Sequence, residues 1–408
     1  MEYLPPQAWM TAPATRAVIA ALTAGGAEVR FVGGCVRDGI IGRPVTDIDI
    51  ATPDAPARVI ELLEAAGLKA VPTGIEHGTV TAVASHRPFE ITTLRRDVEN
   101  YGRRAKVSFT DDWTADAARR DFTINALSCT PEGKLYDPFG GIADLEARRV
   151  RFVGEALARI REDVLRLLRF FRFYAHYGAP PPNGEALSAA QAMAPLLPTL
   201  SGERIAAETL KLLGASDPAA VMMLMRDNMV LMHFLPEAER LDRLARLVAI
   251  ETRLGLAPAP PRRLAAGLAG SEDAARAVAG RLRLSNSLRD RIVAALGQPA
   301  PMAGLDVAGC RALRYRLSGE AYRDRCLIAW AESDAPSQVW RDILEVAEWS
   351  TPAFPVKAQD ALDRGVVAGP ALGRLMAELE QWWIAGDFAS GRAECLTELG
   401  RRLKSQGA

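Results

Sequence analysis

Residues 32–53 read VGGCVRDGIIGRPVTDIDIATP. Within this stretch stand paired glycines, an Arg-Asp step and two carboxylates two positions apart. The preceding run AEVRFV (27–32) is strand-like, and Gly33 and Gly34 end it and open a short helix, CVRDGIIG. Glycines there let backbone N–H groups approach a phosphate, and the helix N-terminus adds a favourable dipole. Arg37, in the first turn, can supply a charge-assisted hydrogen bond. Paired glycines alone make an ordinary turn, and the Gly-Lys-Ser/Thr ending of a Walker loop is absent.

The run VTDIDIA (45–51) reads as a second strand. Side chains i and i+2 of a strand point the same way, about 6.6–7 Å apart. Asp47 and Asp49 can then face one ligand while Ile48 and Ile50 face the core. Convergent carboxylates hold a hard cation such as Mg²⁺, which completes its shell with waters and substrate phosphates. Two such ions about 3.5–4 Å apart can stabilise the attacking and leaving oxygens of a phosphoryl displacement. A bare Asp-x-Asp is ordinarily a solvated turn; its distinction here is a glycine loop and an arginine close by.

Composition sets the outer bounds. A chain of 408 residues, 49% hydrophobic and 25% charged, fits a globular protein of two to four packed units. No apolar run reaches the roughly 18–20 residues that cross a bilayer, and the first residues lack the basic start of a secretory signal. Five scattered cysteines without a CxxC pair argue against a zinc ribbon or disulfide framework and for a reducing cytoplasm. Fifty basic and fifty acidic residues give no net charge. A nucleic-acid partner would therefore need a local basic patch rather than a global one.

The first 150 residues alternate strand-like and helical runs. PARVIELLEAAG (56–67) has helical spacing, with proline at its start and glycine at its end. GTVTAVA (78–84) and PFEITTL (88–94) read as a hairpin of half-buried strands. Glu90 in the second is either a third carboxylate beside the Asp pair or an ordinary solvent-facing position. RRDVENYGRRAKVSFTDDW (95–113) is polar and aperiodic and reads as a mobile connection. From about residue 155 the pattern is helix after helix. RIREDVLRLLRFFRFYAHYG (159–178) carries an apolar stripe and, at i+3 intervals, the charged row Asp163, Arg166, Arg169, Arg172. Unaided, that row is equally a solvated stripe with an Asp163–Arg166 ion pair. Asp111 and Asp112 read as helix-entry residues, and Ser201 as the N-cap of GERIAAETLKLL.

The ordered set GGCVRD, TDIDI, RRDFTINAL (119–127), YDPFGGIADL (136–145) and REDVLRLLRFFRF, with SGERIAAETLKLL (201–213), resembles the class II, bacterial-type tRNA nucleotidyltransferases. These are the CCA-adding enzymes and bacterial poly(A) polymerases of the polymerase-β nucleotidyltransferase superfamily. The resemblance spans roughly residues 27–215. It implies an α+β protein: an N-terminal nucleotidyltransferase head with a small mixed β-sheet (1–150), then an all-helical neck that selects the base (151–215), body (216–335) and tRNA-binding tail (336–408).

It further implies Asp47 and Asp49 as catalytic, Mg²⁺-binding carboxylates, and Gly34, Arg37, Arg120, Asp163, Arg166, Arg169 and Arg172 as nucleotide-binding. The partners implied are tRNA, CTP and ATP. Asp163 and Arg166 would act as a protein template, with Glu203 and Arg204 as buttresses. The stretch 94–109 matches a flexible loop that goes with the switch to adenosine addition, and its five basic residues suit RNA phosphates. Val164 stands where the family often has proline, and Phe170 where a small residue is common.

Cytosine and adenine both present an exocyclic amine beside a ring-nitrogen acceptor. A carboxylate accepts from the first and a guanidinium donates to the second. Uracil and guanine place a carbonyl where the amine should be, and unpaired polar groups can reject a wrong substrate by about 10⁴–10⁵. The expected activity is template-independent addition or repair of the 3′-terminal CCA of tRNA. The alternatives are a poly(A) polymerase, an enzyme adding only C or only A, a non-catalytic RNA-binding module, and a metal-dependent phosphohydrolase. The last would need a His-Asp cluster that four scattered histidines do not supply.

Overall fold

The computed structural model describes residues 1–101, 104–297 and 305–406. They form two units, Met1–Pro236 and Glu237–Ala408.

The first unit is built on a mixed sheet. Its strands are β1 (Arg30–Val32), β2 (Asp49–Thr52), β3 (Lys69–Gly74), β4 (Thr79–Ala84), β5 (Arg87–Thr93), β8 (Ser128–Cys129) and β9 (Leu135–Tyr136), in the order β3-β4-β5-β2-β1-β8-β9. Only the β2–β5 pair is parallel. Helices α1 (Ala8–Thr11), α2 (Pro13–Thr23), α3 (Gly34–Ile40) and α4 (Pro56–Ala65) come from the same part of the chain. Apolar residues alternating along β4, and the apolar stripes of α2 and α4, join one core with Phe31, Ile48, Ile50 and Phe89. That alternation is why 78–94 folds as the expected hairpin.

Two expectations fail here in instructive ways. Residues 95–101 and 104–109 are not aperiodic: β6 (Arg95–Tyr101) and β7 (Arg104–Phe109) pair as a separate two-stranded antiparallel sheet, with a register shift between Asp97 and Glu99. Their sequence lacks an apolar alternation, so the backbone pairing leaves no period of two to read. The basic residues assigned there to RNA phosphates fall partly outside the described residues: Arg103 itself, and the side chains of Arg104 and Lys106.

Nor is 159–178 one helix. α5 (Trp113–Ala118) and α6 (Gly141–Glu146) are followed by α7 (Ala156–Glu162) and α8 (Leu165–Tyr177), separated by a break at Asp163. Asp163 is extended (φ −152°, ψ 109°), and its Oδ1 accepts from the Leu165 amide at 3.1 Å. A carboxylate that bonds the backbone ahead of it restarts the helix instead of continuing it. α9 (Gly184–Met193), α10 (Gly202–Leu213) and α11 (Pro218–Asp227) complete the unit, α10 packing on α8. Ser201 occupies the N-cap of α10 without a side-chain cap bond, whereas Asp112 caps α5 by accepting from Thr114 and Ala115.

The second unit is helical among its described residues: α12 (Leu241–Arg253), α13 (Pro260–Gly267), α14 (Glu272–Arg281), α15 (Asn286–Leu296), α16 (Val307–Arg316), α17 (Gly319–Glu332), α18 (Ser337–Glu345), α19 (Ala358–Leu362), α20 (Pro370–Ala385) and α21 (Arg392–Gln406). A buried ionic knot ties four of them. Glu251 of α12 accepts from Arg262 and Arg263 of α13, both at 2.7 Å from Nε, while Asp324 of α17 accepts from Arg262 and from Arg291 of α15. Among the described residues no helix is long and apolar enough to cross a membrane, and all five cysteines are free and buried.

Candidate active site

A cavity of about 580 Å³ opens in the first unit where the carboxyl end of β1, the β2–β5 ladder, the end of α5 and the start of α8 converge. Gly33 turns the chain from β1 into α3 with φ +70°. A Cβ there would lie 2.8 Å from Arg120 Nη1, so the glycine gives both the left-handed turn and the room for that guanidinium.

Asp49 and Glu90 sit opposite each other in the parallel β2–β5 register, and both line the cavity. Glu90, open to either reading in the sequence, thus belongs to the site. Asp47 differs from expectation. β2 begins only at Asp49, so Asp47 precedes the strand, and it is exposed and outside the cavity lining. The burial alternation nevertheless persists through it, with Ile48 and Ile50 both buried. The Asp49 carboxyl is pushed up to about 6, first by burial and then by the negative charge of Glu90, with a smaller push from Asp47; Arg120 and Arg37 oppose this.

Excess negative charge among oxygen donors suits a hard divalent cation. Among the described residues no group of three or more His, Cys, Asp or Glu is gathered for a metal. The fit is accordingly to an ion held by few protein carboxylates and completed by substrate.

The basic wall is internally braced. Asp116 is 4% exposed and accepts from Arg119 at 2.9 Å and Arg120 at 3.4 Å. Arg37 donates to Asn125 Oδ1 at 2.5 Å and to Asp38, beneath the Tyr177 ring at 4.2 Å. Gly34, Arg37, Arg120, Asp163, Arg166 and Arg169 all line the cavity; Arg172 does not. Arg172 pairs with Glu208 of α10 at 2.9 Å. Arg169 binds Asp121 through Nε at 2.7 Å. Burial alone would raise the Asp121 carboxyl, but Arg169 and Asn125 hold it below the usual range.

The expected Asp163–Arg166 pair is not formed. Asp163 Oδ2 accepts from Arg204 at 2.6 Å, whereas Arg166 pairs with Glu162 and donates to the Arg159 carbonyl at 3.0 Å. The break before α8 puts Asp163 and Arg166 on different backbone geometry, so i+3 spacing no longer brings them together. Arg204, read from sequence as a buttress, lines the cavity as well.

Sequence reasoning missed Asp121 and Asn125, which both line the cavity. Each lies inside the quoted RRDFTINAL, where polar residues among buried apolar ones were the available signal.

Residues 29–151 match the family described as "Poly A polymerase head domain", and residues 183–241 match "Probable RNA and SrmB- binding site of polymerase A". The chain is 33% identical to the "CCA tRNA nucleotidyltransferase 1, mitochondrial" of Mus musculus, over 91% of this chain and 86% of that one. It is 30% identical to the "CCA-adding enzyme" of Limosilactobacillus fermentum over 96% and 97% of the two chains. Its fold matches the crystal structure of the Bacillus stearothermophilus CCA-adding enzyme in complex with CTP with a TM-score of 0.79 at 28% identity, covering 96% and 97% of the two chains.

Proposed function

The chain belongs to the family of CCA-adding tRNA nucleotidyltransferases, and from that premise we propose that it builds or repairs the 3′-terminal CCA of tRNA from CTP and ATP without a nucleic-acid template. The observation that carries this reading is one cavity that joins Asp49 and Glu90 to Arg120 on one side and to Asp163, Arg166 and Arg204 on the other.

The family uses divalent metal ions, and the ion proposed here is Mg²⁺, which Asp49 would hold with Glu90 adjacent and Asp47 approaching from just before the strand. When bound, it supplies electrostatic stabilisation to the attacking 3′-oxygen and the leaving pyrophosphate. Arg120, seated against Gly33 and oriented by Asp116, binds the triphosphate, with Gly34 and Arg37 bordering it. Asp163, fixed by Arg204, accepts from the exocyclic amine of cytosine or adenine. Arg166 has five N–H donors, and its contacts to Glu162, Arg159 and Arg119 leave at least two for the ring acceptor. Arg169 and Arg172, through Asp121 and Glu208, keep α8 registered against the head and α10. Most of the rate comes from positioning and electrostatics.

The division of labour proposed is a head over 1–150, a base-selecting neck over 151–215, a body over 216–335 and a tail over 336–408 that holds tRNA. The working compartment proposed is the cytoplasm.

Poly(A) polymerase is the second reading, since the matched head family carries that name. Incubation with tRNA ending at the discriminator base, at C or at CC, with each nucleotide supplied singly, separates the two. CTP should extend the first two ends, ATP only the third, and UTP and GTP none. Repeated ATP addition to any RNA end would establish the poly(A) reading, and extension by one nucleotide species alone would mark a partial enzyme.

A further inference from the structure

A second cavity of the head, of about 230 Å³, is walled by Arg30, Trp113, Thr114, Ser128, Tyr136 and Asp137. None of these lines the cavity described above. Its central feature is Arg30, only 6% exposed. The Arg30 guanidinium lies between two rings, 4.0 Å from the centroid of Trp113 and 3.5 Å from that of Tyr136. Its Nε donates to Glu28 at 2.7 Å.

Among the described residues, Nη1 and Nη2 of Arg30 donate to no protein acceptor. Four N–H bonds of this permanently charged group thus have no protein acceptor and are left for water or for an anion that enters the cavity. The flanking rings fix the guanidinium plane, so its edge is presented as a rigid fork, which matches two oxygens of one anion. Thr114 and Ser128 add hydroxyls to the same wall.

Both nearby carboxylates are engaged: Glu28 on the Nε of Arg30, away from its Nη atoms, and Asp137 on the Gly141 and Ile142 amides at 2.6 and 2.9 Å. The volume falls below the roughly 300–1,000 Å³ of a site for a drug-sized ligand, which suits a small anion rather than a whole nucleotide.

We propose that this cavity is a second oxyanion site that takes inorganic phosphate or pyrophosphate on the Nη edge of Arg30, with Thr114 and Ser128 completing the contact. The proposal does not depend on the activity proposed above.

The test is calorimetric titration of the full chain, free of divalent metal, with inorganic phosphate and separately with pyrophosphate. An Arg120→Ala background weakens the oxyanion contact of the active cavity, and the Arg30 and Ser128 variants then report on the second cavity alone. One oxyanion should still bind, and which of the two probes binds more tightly identifies the ligand. Arg30→Gln, added to that background, should weaken binding at least about tenfold, as should Ser128→Leu, which fills the cavity while keeping the arginine in the chain. Melting curves establish that each variant folds; should Arg30→Gln fail to fold, Ser128→Leu alone decides. Absence of binding by both probes in the background chain would overturn the proposal, as would unchanged affinity in the folded variants.

Discussion

At the scale of single residues, Asp49 carries a tension that pH makes visible. Its carboxyl has been pushed from an ordinary 3.8 to about 6, so in the metal-free chain its ionised form destabilises the fold. The native protein holds a proton there that the unfolded chain has already released. This group's contribution to stability therefore falls as pH rises from about 4 to about 6. Asp49→Asn removes the effect. The metal-free variant should melt above wild type at pH 7, and the gap should shrink towards pH 4. An unchanged gap would place the tension elsewhere. Nucleotide addition by the same variant should fall by at least about 10²-fold, as for loss of one electrostatic partner of a transition state.

Gly33→Ala tests the neighbouring claim. A Cβ 2.8 Å from Arg120 on a backbone at φ +70° must displace the guanidinium, so KM for CTP should rise severalfold. The left-handed strain should lower stability by about 1–2 kcal/mol. An unchanged KM would show that Arg120 does not hold the nucleotide.

Much of this was legible in the sequence: GG, RD and DxD each announce a local geometry. Arg204 was legible only as a buttress and Glu90 only as one of two open readings; the pairs themselves, Arg204 on Asp163, Glu208 on Arg172 and Glu90 beside Asp49, were not. Each is a pairing over 36 to 41 positions that only the packing of α10 on α8, or of β5 on β2, creates.

At the scale of elements, the break at Asp163 is the feature that helical periodicity concealed. The apolar stripe runs across it, because α7 and α8 both bury the faces predicted for one helix; Ile160, Leu167, Leu168 and Phe171 are all buried. Only the backbone of Asp163 departs. Val164 sits at φ −56°, its amide donates no hydrogen bond among the described residues, and the residue before it is extended. Those are the conditions that proline prefers.

Val164→Pro should accordingly be tolerated or stabilise the chain by about 0.4–1 kcal/mol. In an unbroken helix it would cost about 3 kcal/mol. Thermal melting with the CTP addition rate decides between them. The β6–β7 hairpin was illegible for the opposite reason: its sequence has no core-facing side to betray a period of two.

At the scale of the whole molecule, the sheet-based first unit was readable from alternation, whereas the second unit showed only helical composition. Its buried ionic knot explains part of that silence. Glu251 and Asp324 are each 1% exposed, yet on paper they are charged residues on helices that look solvent-facing. Glu251→Ala would take from buried Arg262 and Arg263 the carboxylate they share, Arg262 keeping only its contact to Asp324 among its acidic partners. It should destabilise the chain by about 3–5 kcal/mol, visible as a large fall in Tm. A change below about 1 kcal/mol would mean that Glu251 is not what neutralises these arginines.

The central claim for the molecule is that side chains stand in for a nucleic-acid template, with Asp163 held ready by Arg204 and Arg166 beside them in the cavity. The measurement that tests it most directly is the ratio of kcat/KM for CTP over UTP on tRNA ending at C, in wild type, Asp163→Ala and Arg166→Ala. The account predicts that both variants lose rate with CTP and that the ratio collapses by at least tenfold. Variants that fold, slow down and keep the wild-type ratio would contradict it.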